Sequence, residues 1–370
     1  MYNKEKKHIS DILETLCEQL DISESQYENA KEKYNAVGKW LGESNSILQS
    51  YNPQIYPQGS FKLGTVVKPL ERDEFDVDLV CELFISKNAG QKQVNDLVGY
   101  WLRQNSKYEK ILEPLKRGWR LNYSGNFHLD ILPAIPDIQR KNGCILVPDR
   151  KLQAWKESNP IGYAKWFDER MLMRLLEMHA KAEIEQIPDD KNNFKTPLQR
   201  SVQILKRYRD VHFTKDKESA PISIVITTLA AMAYNNEDLL YDALTNIIYK
   251  IPYQIDYDGE NPIVPNPTNK EENFAEKWLD NPELYGIFIK WLNDLRAKLL
   301  IVIKEARGME KITEILSEAF GYKIMKSTMS AYAEKVDEKR MSGLLKASSN
   351  FAMLGNTGLK IRRNTFFGNG

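Results

Sequence analysis

Asp76 and Asp78 stand two residues apart in FDVDLVCEL, a stretch in which apolar and polar residues alternate. Residues two apart on a strand project to the same side at roughly 6.5 to 7 Å, so these carboxylates can converge on one pair of divalent cations. A third carboxylate, Asp130, lies in FHLDILPAI among Leu129, Ile131 and Leu132, in a strand pattern that is otherwise apolar apart from His128. A carboxylate there is costly unless it is paired or bound to metal. Upstream, Gly59 and Ser60 in YPQGSFKLGT mark a turn that could offer backbone amides and a hydroxyl to phosphate oxygens. Gly59 lets the backbone approach closely.

These are the parts that in-line nucleotidyl transfer needs. Two magnesium ions, or manganese in their place, activate an attacking hydroxyl and neutralise charge on a triphosphate and its pyrophosphate leaving group. Asp76 and Asp78 are assigned to bridge both ions. Asp130 is assigned to the ion that lowers the pKa of the attacking hydroxyl, with a share in accepting its proton. Each signal alone is ordinary: acidic alternation usually marks a solvated strand face, and a Gly-Ser pair an ordinary turn. Their combination carries the reading. His128 shares the face of Asp130 and is expected to be at most a supporting contact to that carboxylate, not a general base.

The elements that must position these groups follow from periodicity. Ile12, Leu13, Leu16, Cys17 and Leu20 line one helix face, and Ser23 with Gln26 reads as a capping box opening a second helix with the stripe Tyr27, Ala30, Tyr34, Val37 and Leu41. Pro53 and Pro57 end helical structure. A strand is predicted from Phe75 to Leu83, a helix from Val94 to Gln104, and a hairpin from WRLNY and FHLDILPAI around Ser124, Gly125 and Asn126. Beyond Pro148 helical patterns dominate: Tyr163 to Ile187, Pro197 to Val211, Ile222 to Tyr234, Glu237 to Ile251 and Ala275 to Met309. YDGENPIVPNPTNKEEN reads as a loop between them, and the residues from about Ser342, ending in FFGNG, as a mobile tail.

At 370 residues the chain exceeds what one core usually organises, which predicts two lobes with a substrate cleft between them. Cys17, Cys81 and Cys144 are widely spaced and form no CxxC pair, against a disulfide framework or structural zinc. The N-terminus lacks an export signal and no apolar run would span a bilayer, so a cytoplasmic location without membrane attachment is expected. With 52 basic and 51 acidic residues, the chain has no overall field for constitutive binding of long nucleic acid. Trp101, Trp119, Trp155 and Trp166 could stack on bases, although most such residues belong to cores.

GSFKLGT, DEFDVDLV and HLDILPAIP together resemble the three core motifs of the polymerase-β-like nucleotidyltransferases. The closer resemblance is to the cGAS/DncV-like branch, the bacterial CD-NTases or SMODS family. ISESQYENAKEKYNAVGKWL, TPLQRSVQILKRYRD, PISIVITTLAAMAY and NPTNKEENFAEKW also look like that branch, so the likeness spans most of Ile22 to Trp278. It implies an α+β, bilobed nucleotidyltransferase core with an all-helical C-terminal lobe. The corresponding division is N-terminal helices along both lobes (1–50), catalytic core (51–155), helical lobe (156–341) and tail (342–370).

The implied activity is synthesis of a cyclic di- or trinucleotide messenger in antiphage defence, acting on a separate effector protein. By the same resemblance the substrates are nucleoside triphosphates, ATP first and GTP as the alternative. Lys206 and Ser223 match the lysine and serine that similar enzymes aim at the donor triphosphate, and Gln58 supports the turn. Their bland counterparts are an exposed helix lysine and a helix-capping serine. Of Arg207 and Arg209, at least one is expected to be merely solvated. A ubiquitin-transfer-like or peptide-binding regulatory partner is a further implication, the former acting at the tail ending Gly368, Asn369 and Gly370. The competing functions are a terminal transferase acting on RNA, which would show a basic surface or an RNA-binding module, and a non-catalytic nucleotide sensor, which would usually have lost a carboxylate.

Overall fold

The structure, a computed structural model, describes residues 2–70, 74–123, 127–140, 143–150, 153–171, 195–304 and 308–342, together with 346–347, 354–355 and 359–360. Helices α1 (Tyr2–Leu20) and α2 (Glu24–Leu41) part at Ser23. Its hydroxyl accepts from the Gln26 amide and its own amide donates to the Gln26 side chain, closing the capping box. The two helices then serve different cores. α1 sends Ile12, Leu13, Leu16 and Leu20 into the helical core, while α2 sends Ala30, Val37 and Leu41 under the sheet.

The sheet core is built from β1 (Gln54–Gln58), the short helix α3 (Gly59–Leu63), β2 (Phe75–Glu82), α4 (Gln91–Arg103), α5 (Ser106–Glu109), β3 (Leu112–Leu115), β4 (Gly118–Tyr123), β5 (Phe127–Pro136), β6 (Ile145–Asp149) and β7 (Ala154–Ser158). The strands order as β1-β2-β5-β4-β3, with β6 and β7 continuing from β5. β2 and β5 are parallel and every other pair in this sheet is antiparallel. Alternation explains its two faces: Phe75, Val77, Leu79, Phe127, Leu129 and Ile131 are buried against Val94, Val98 and Leu102 of α4, leaving the intervening polar residues on the opposite face. Each such apolar side chain contributes on the order of 1.5 to 3 kcal/mol through burial. Trp40 and Trp101 join α2 to α4, their rings stacked at 5.0 Å and each indole N–H donating to the other's carbonyl. Trp101 and Trp119 are buried, as expected of core tryptophans.

The helical lobe comprises α6 (160–171), α7 (Pro197–His212), α8 (Ser223–Ala233), α9 (Leu240–Lys250), β8 (Asp256–Asp258), β9 (Asn261–Ile263), β10 (Pro265–Asn266), β11 (Asn269–Asn273), α10 (Glu276–Asp280), α11 (Glu283–Lys304), α12 (Met309–Phe320) and α13 (Tyr322–Met341). With this core at its centre, the fold is the α+β arrangement the sequence implies. Some details differ. The stretch read as a loop folds into two small hairpins, β8 with β9 and β10 with β11, so the lobe is not purely helical. The helix expected from Ala275 to Met309 breaks at Asn281 and Pro282, where the Asn281 side chain accepts from the Glu283 amide and starts α11 afresh. The boundary expected at residue 155 falls inside β7, so the sheet runs on to Ser158.

In the segment expected to be a loose tail, Lys346–Ala347 pairs with Leu354–Gly355 and with Leu359–Lys360. The glycine-ended terminus, residues 172–187 of the first helix predicted for the lobe, and the turn at Ser124, Gly125 and Asn126 lie outside the described residues. All three cysteines are buried and free. Among the described residues no helix is long and apolar enough to cross a membrane.

Candidate active site

Strand register decides where the polar face gathers its charge. Gln58 opposes Asp78, Asp78 opposes Asp130, and Asp130 opposes Arg120, so one row crosses β1, β2, β5 and β4. The neighbouring row holds Asp76, His128 and Asn122. Asp130, distant in sequence from the Asp76 and Asp78 pair, therefore joins them on one face. Arg120 lies among them: its Nε donates to Asp130 Oδ1 at 2.7 Å, and its Nη2 donates to Asp130 Oδ2 at 2.8 Å and Asp76 Oδ1 at 3.1 Å.

The electrostatics are those of crowded like charges. Burial, then the negative charges of Asp130 and Asp76, pushes the Asp78 carboxyl up to about 7. Asp76 is also raised, by burial first and Asp130 second, against the opposing pull of Arg120. The Arg120 guanidinium is held further above its usual range, chiefly by its hydrogen bond to Asp130. A divalent cation would relieve this crowding, and an all-oxygen donor set suits magnesium or manganese. Among the described residues, however, no group of three or more His, Cys, Asp or Glu closes around one point. Arg120 spans the gap between Asp76 and Asp130. His128 turns away from the expected contact with Asp130, its Nδ1 lying 3.0 Å from Glu74 Oε2.

The Gly59-Ser60 turn sits directly on Asp78. Gly59 has φ +64, and a Cβ there would lie 2.0 Å from Asp78 Oδ2 and 2.9 Å from its Cγ. Only glycine combines that left-handed conformation with so close an approach. Gln58 occupies the cap position of α3 without a side-chain bond to it, and the Thr65 amide returns to the Ser60 carbonyl at 2.9 Å.

Helix α7 grips the segment that follows this turn. Gln199 Nε2 donates to the Leu63 carbonyl at 3.0 Å, Gln203 Nε2 to Val66 at 2.7 Å, and Arg207 Nη2 to Lys68 at 2.8 Å. Lys206 Nζ donates to both the carbonyl and the hydroxyl of Thr65, each at 3.1 Å. Positions 199, 203, 206 and 207 share one helix face, so a single surface of α7 fastens the helical lobe to the sheet lobe. Lys206 is only 6% exposed. Burial first, then the charge of Arg209, lowers its ammonium to about 7 against the pull of Asp210 and Asp78.

Ser223 is the first residue of α8, and the cap position belongs to Ile222 rather than to this serine. Its hydroxyl accepts from Arg209 Nη1 at 2.6 Å. Neither neighbouring arginine is idle in solvent, contrary to expectation: Arg207 is buried on Lys68, and Arg209 bridges Ser223 and Asp210. The reason is that α7 is covered on two sides, so successive positions both meet protein. The structure thus unites Asp76, Asp78, Asp130, Gln58 and Gly59, and sets Lys206 behind Thr65 with Ser223 one arginine further along.

Sequence reasoning missed Arg120, Thr65, Gln199 and Gln203. Alternation in WRLNY does place Arg120 on the polar face; its register opposite Asp130 is what the sequence left unread.

Residues 8–170 match the family model described as the Second Messenger Oligonucleotide or Dinucleotide Synthetase domain. The chain is 35% identical to a c-di-GMP synthase of Roseivirga ehrenbergii, over 98% of each. In fold it is similar to the CD-NTase CdnG of Bradyrhizobium diazoefficiens in complex with GTP, with a TM-score of 0.72 at 21% identity over 88% of this chain and 98% of that one. It is also similar to CdnC of E. coli MS115-1 in a complex with HORMA-deltaN, with a TM-score of 0.58 at 13% identity over 82% and 93%.

Proposed function

The chain belongs to the second messenger oligonucleotide or dinucleotide synthetase family, nucleotidyltransferases that make a cyclic oligonucleotide from nucleoside triphosphates, and from that premise we propose which of its residues do the work. The observation that carries the assignment is the cross-strand row in which Asp78 and Asp130 oppose each other beneath Gly59, with Asp76 beside them.

Asp76 and Asp78 would hold two divalent ions, magnesium or manganese, and Asp130 would hold one of the two. Bound there, the ions supply Lewis-acid activation of a hydroxyl and neutralise triphosphate charge. The remaining work belongs to the chain. Asp130 takes a share of the attacking hydroxyl's proton on its carboxylate. The Gly59-Ser60 turn admits the triphosphate close to the backbone, supported by Gln58. Lys206 brings a compact positive charge towards the phosphates from the helical lobe, and Ser223 adds a hydroxyl whose direction Arg209 fixes.

The names of the c-di-GMP synthase relative and of the GTP-bound neighbour favour GTP over ATP as the principal substrate, and a guanine-containing cyclic dinucleotide as the product. A terminal transferase acting on RNA is disfavoured by the family and by the balanced charge of the chain, and a catalytically silent sensor by the family and by retention of all three carboxylates. Work in the cytoplasm, where nucleoside triphosphates are made, and a messenger role in antiphage defence through a separate effector belong to the same reading. The neighbour seen with HORMA-deltaN supports a regulatory protein partner, while conjugation through the glycine-ended tail rests on the sequence alone. Incubation of purified protein with labelled ATP, GTP, CTP and UTP plus magnesium, followed by mass spectrometry, tests the proposal. The expected result is a phosphatase-resistant cyclic product containing guanosine; a product built only from other bases would overturn the base assignment, and extended RNA the activity.

A further inference from the structure

Arg120 is the one cation in direct hydrogen-bond contact with the carboxylate group among the described residues, and it engages two of the three acids at once. Its guanidinium is doubly bonded to Asp130 and singly bonded to Asp76, and its side chain is 25% exposed against 53% for Asp76. The Asp130 end of this arrangement is therefore anchored and the Asp76 end is open to solvent. The bonds at 2.7 and 2.8 Å to Asp130 form a bidentate pair, while the longer contact to Asp76, at 3.1 Å, is the one more easily given up.

We propose that Arg120 is a positioning residue that stands in for the divalent ions: it holds Asp76 and Asp130 at bridging distance before metal arrives and competes with metal for them. This rests on the assignment of the three aspartates as metal ligands. A divalent ion held on Asp76 would compete for that carboxylate's charge with the guanidinium contact at 3.1 Å, the longest of the three, whereas the bidentate pair on Asp130 would keep the arginine in the site. A positive charge retained there weakens ion binding and raises the ion concentration at which the carboxylates fill. The enzyme's metal requirement is thus set partly by a residue that ligates nothing.

The test is a Mn2+ titration of the full chain without nucleotide, followed by electron paramagnetic resonance of the free ion. Arg120→Gln keeps a hydrogen-bond donor without the charge and should bind Mn2+ about tenfold more tightly than wild type while melting at a lower temperature in the absence of metal. Unchanged or weaker Mn2+ binding by the folded variant would overturn the proposal. Asp78→Asn is the control: if wild-type binding survives that substitution, the carboxylate assignment itself fails and Arg120 falls with it, whereas lost binding there beside an unchanged Arg120→Gln refutes the arginine's role alone. Should Arg120→Gln not fold, wild-type crystals soaked in Mn2+ decide the matter. Loss of the Nη2 contact to Asp76 upholds the proposal, and a guanidinium still bridging both acids beside a bound ion overturns it.

Discussion

Replacing Gly59 by alanine separates a turn glycine from a glycine that shapes the site. The backbone cost is modest: a residue with a Cβ in the left-handed region loses roughly 1 to 2 kcal/mol. The contact is the larger matter. A Cβ would lie 2.0 Å from Asp78 Oδ2 and 2.9 Å from Cγ, so the carboxylate must retreat by more than 1 Å to regain ordinary van der Waals separation of about 3.4 Å or more. Because the obstacle is a side-chain end, the fold can yield, and the strain is relieved by moving the proposed ligand. A 1 Å misplacement of a reacting group costs about 100-fold in rate. Gly59→Ala should therefore lower initial rates of cyclic product formation at saturating Mg2+ by at least about 100-fold, while the melting temperature falls by only about 2 to 4 °C for each kcal/mol lost. Circular dichroism of the same preparation shows whether the fold is kept. A folded variant within about threefold of wild-type rate would refute the placement of Asp78 beneath the turn as a catalytic feature.

Gly99→Ala gives the contrasting outcome: its Cβ would meet Trp119 Cζ2 at 2.1 Å inside the sheet core, so chemical denaturation should show a loss of about 1 to 3 kcal/mol from overpacking, with activity per folded molecule retained. The double variant Asp76→Ala, Asp78→Ala should abolish turnover with the fold intact, and any retained cyclic product would eliminate the mechanism. Lys206→Met should raise the KM for nucleoside triphosphate, and an unchanged KM would remove that residue from phosphate binding. The same lysine predicts a pH signature. Its folded value of about 7 lies below its unfolded one, so the unfolded chain carries more protons between those values and wild-type stability should rise with pH across that window, by at most about 1.4 kcal/mol per unit. Urea unfolding from pH 7 to 9 would show this slope in wild type and its loss in Lys206→Met.

Much of the site could be read along the chain because it depends on local rules. The period of two in FDVDLV puts Asp76 and Asp78 on one face, and burial of Phe75, Val77 and Leu79 is the same fact seen from the other side. The capping box at Ser23 and the helical stripe after it likewise depend on residues within a turn of one another. Helix and hairpin limits in 256–283 were less legible, since short strands there are held by their partners and Pro282 sits between two helices rather than inside one.

Local sequence carries the inventory: three carboxylates with strand spacing and facing, a glycine-serine turn ahead of them, and a helical second lobe. Adjacency comes from the packed fold. Register between β2, β5 and β4 set Asp78 against Asp130 and drew Arg120 into the same row, and packing of α7 turned Gln199, Gln203, Lys206 and Arg207 onto the carbonyls of 63–68. The physical reason is that facing is fixed by a residue's own backbone period, whereas register is fixed by which strands pair, and one residue of slip would have carried Asp130 to the opposite face.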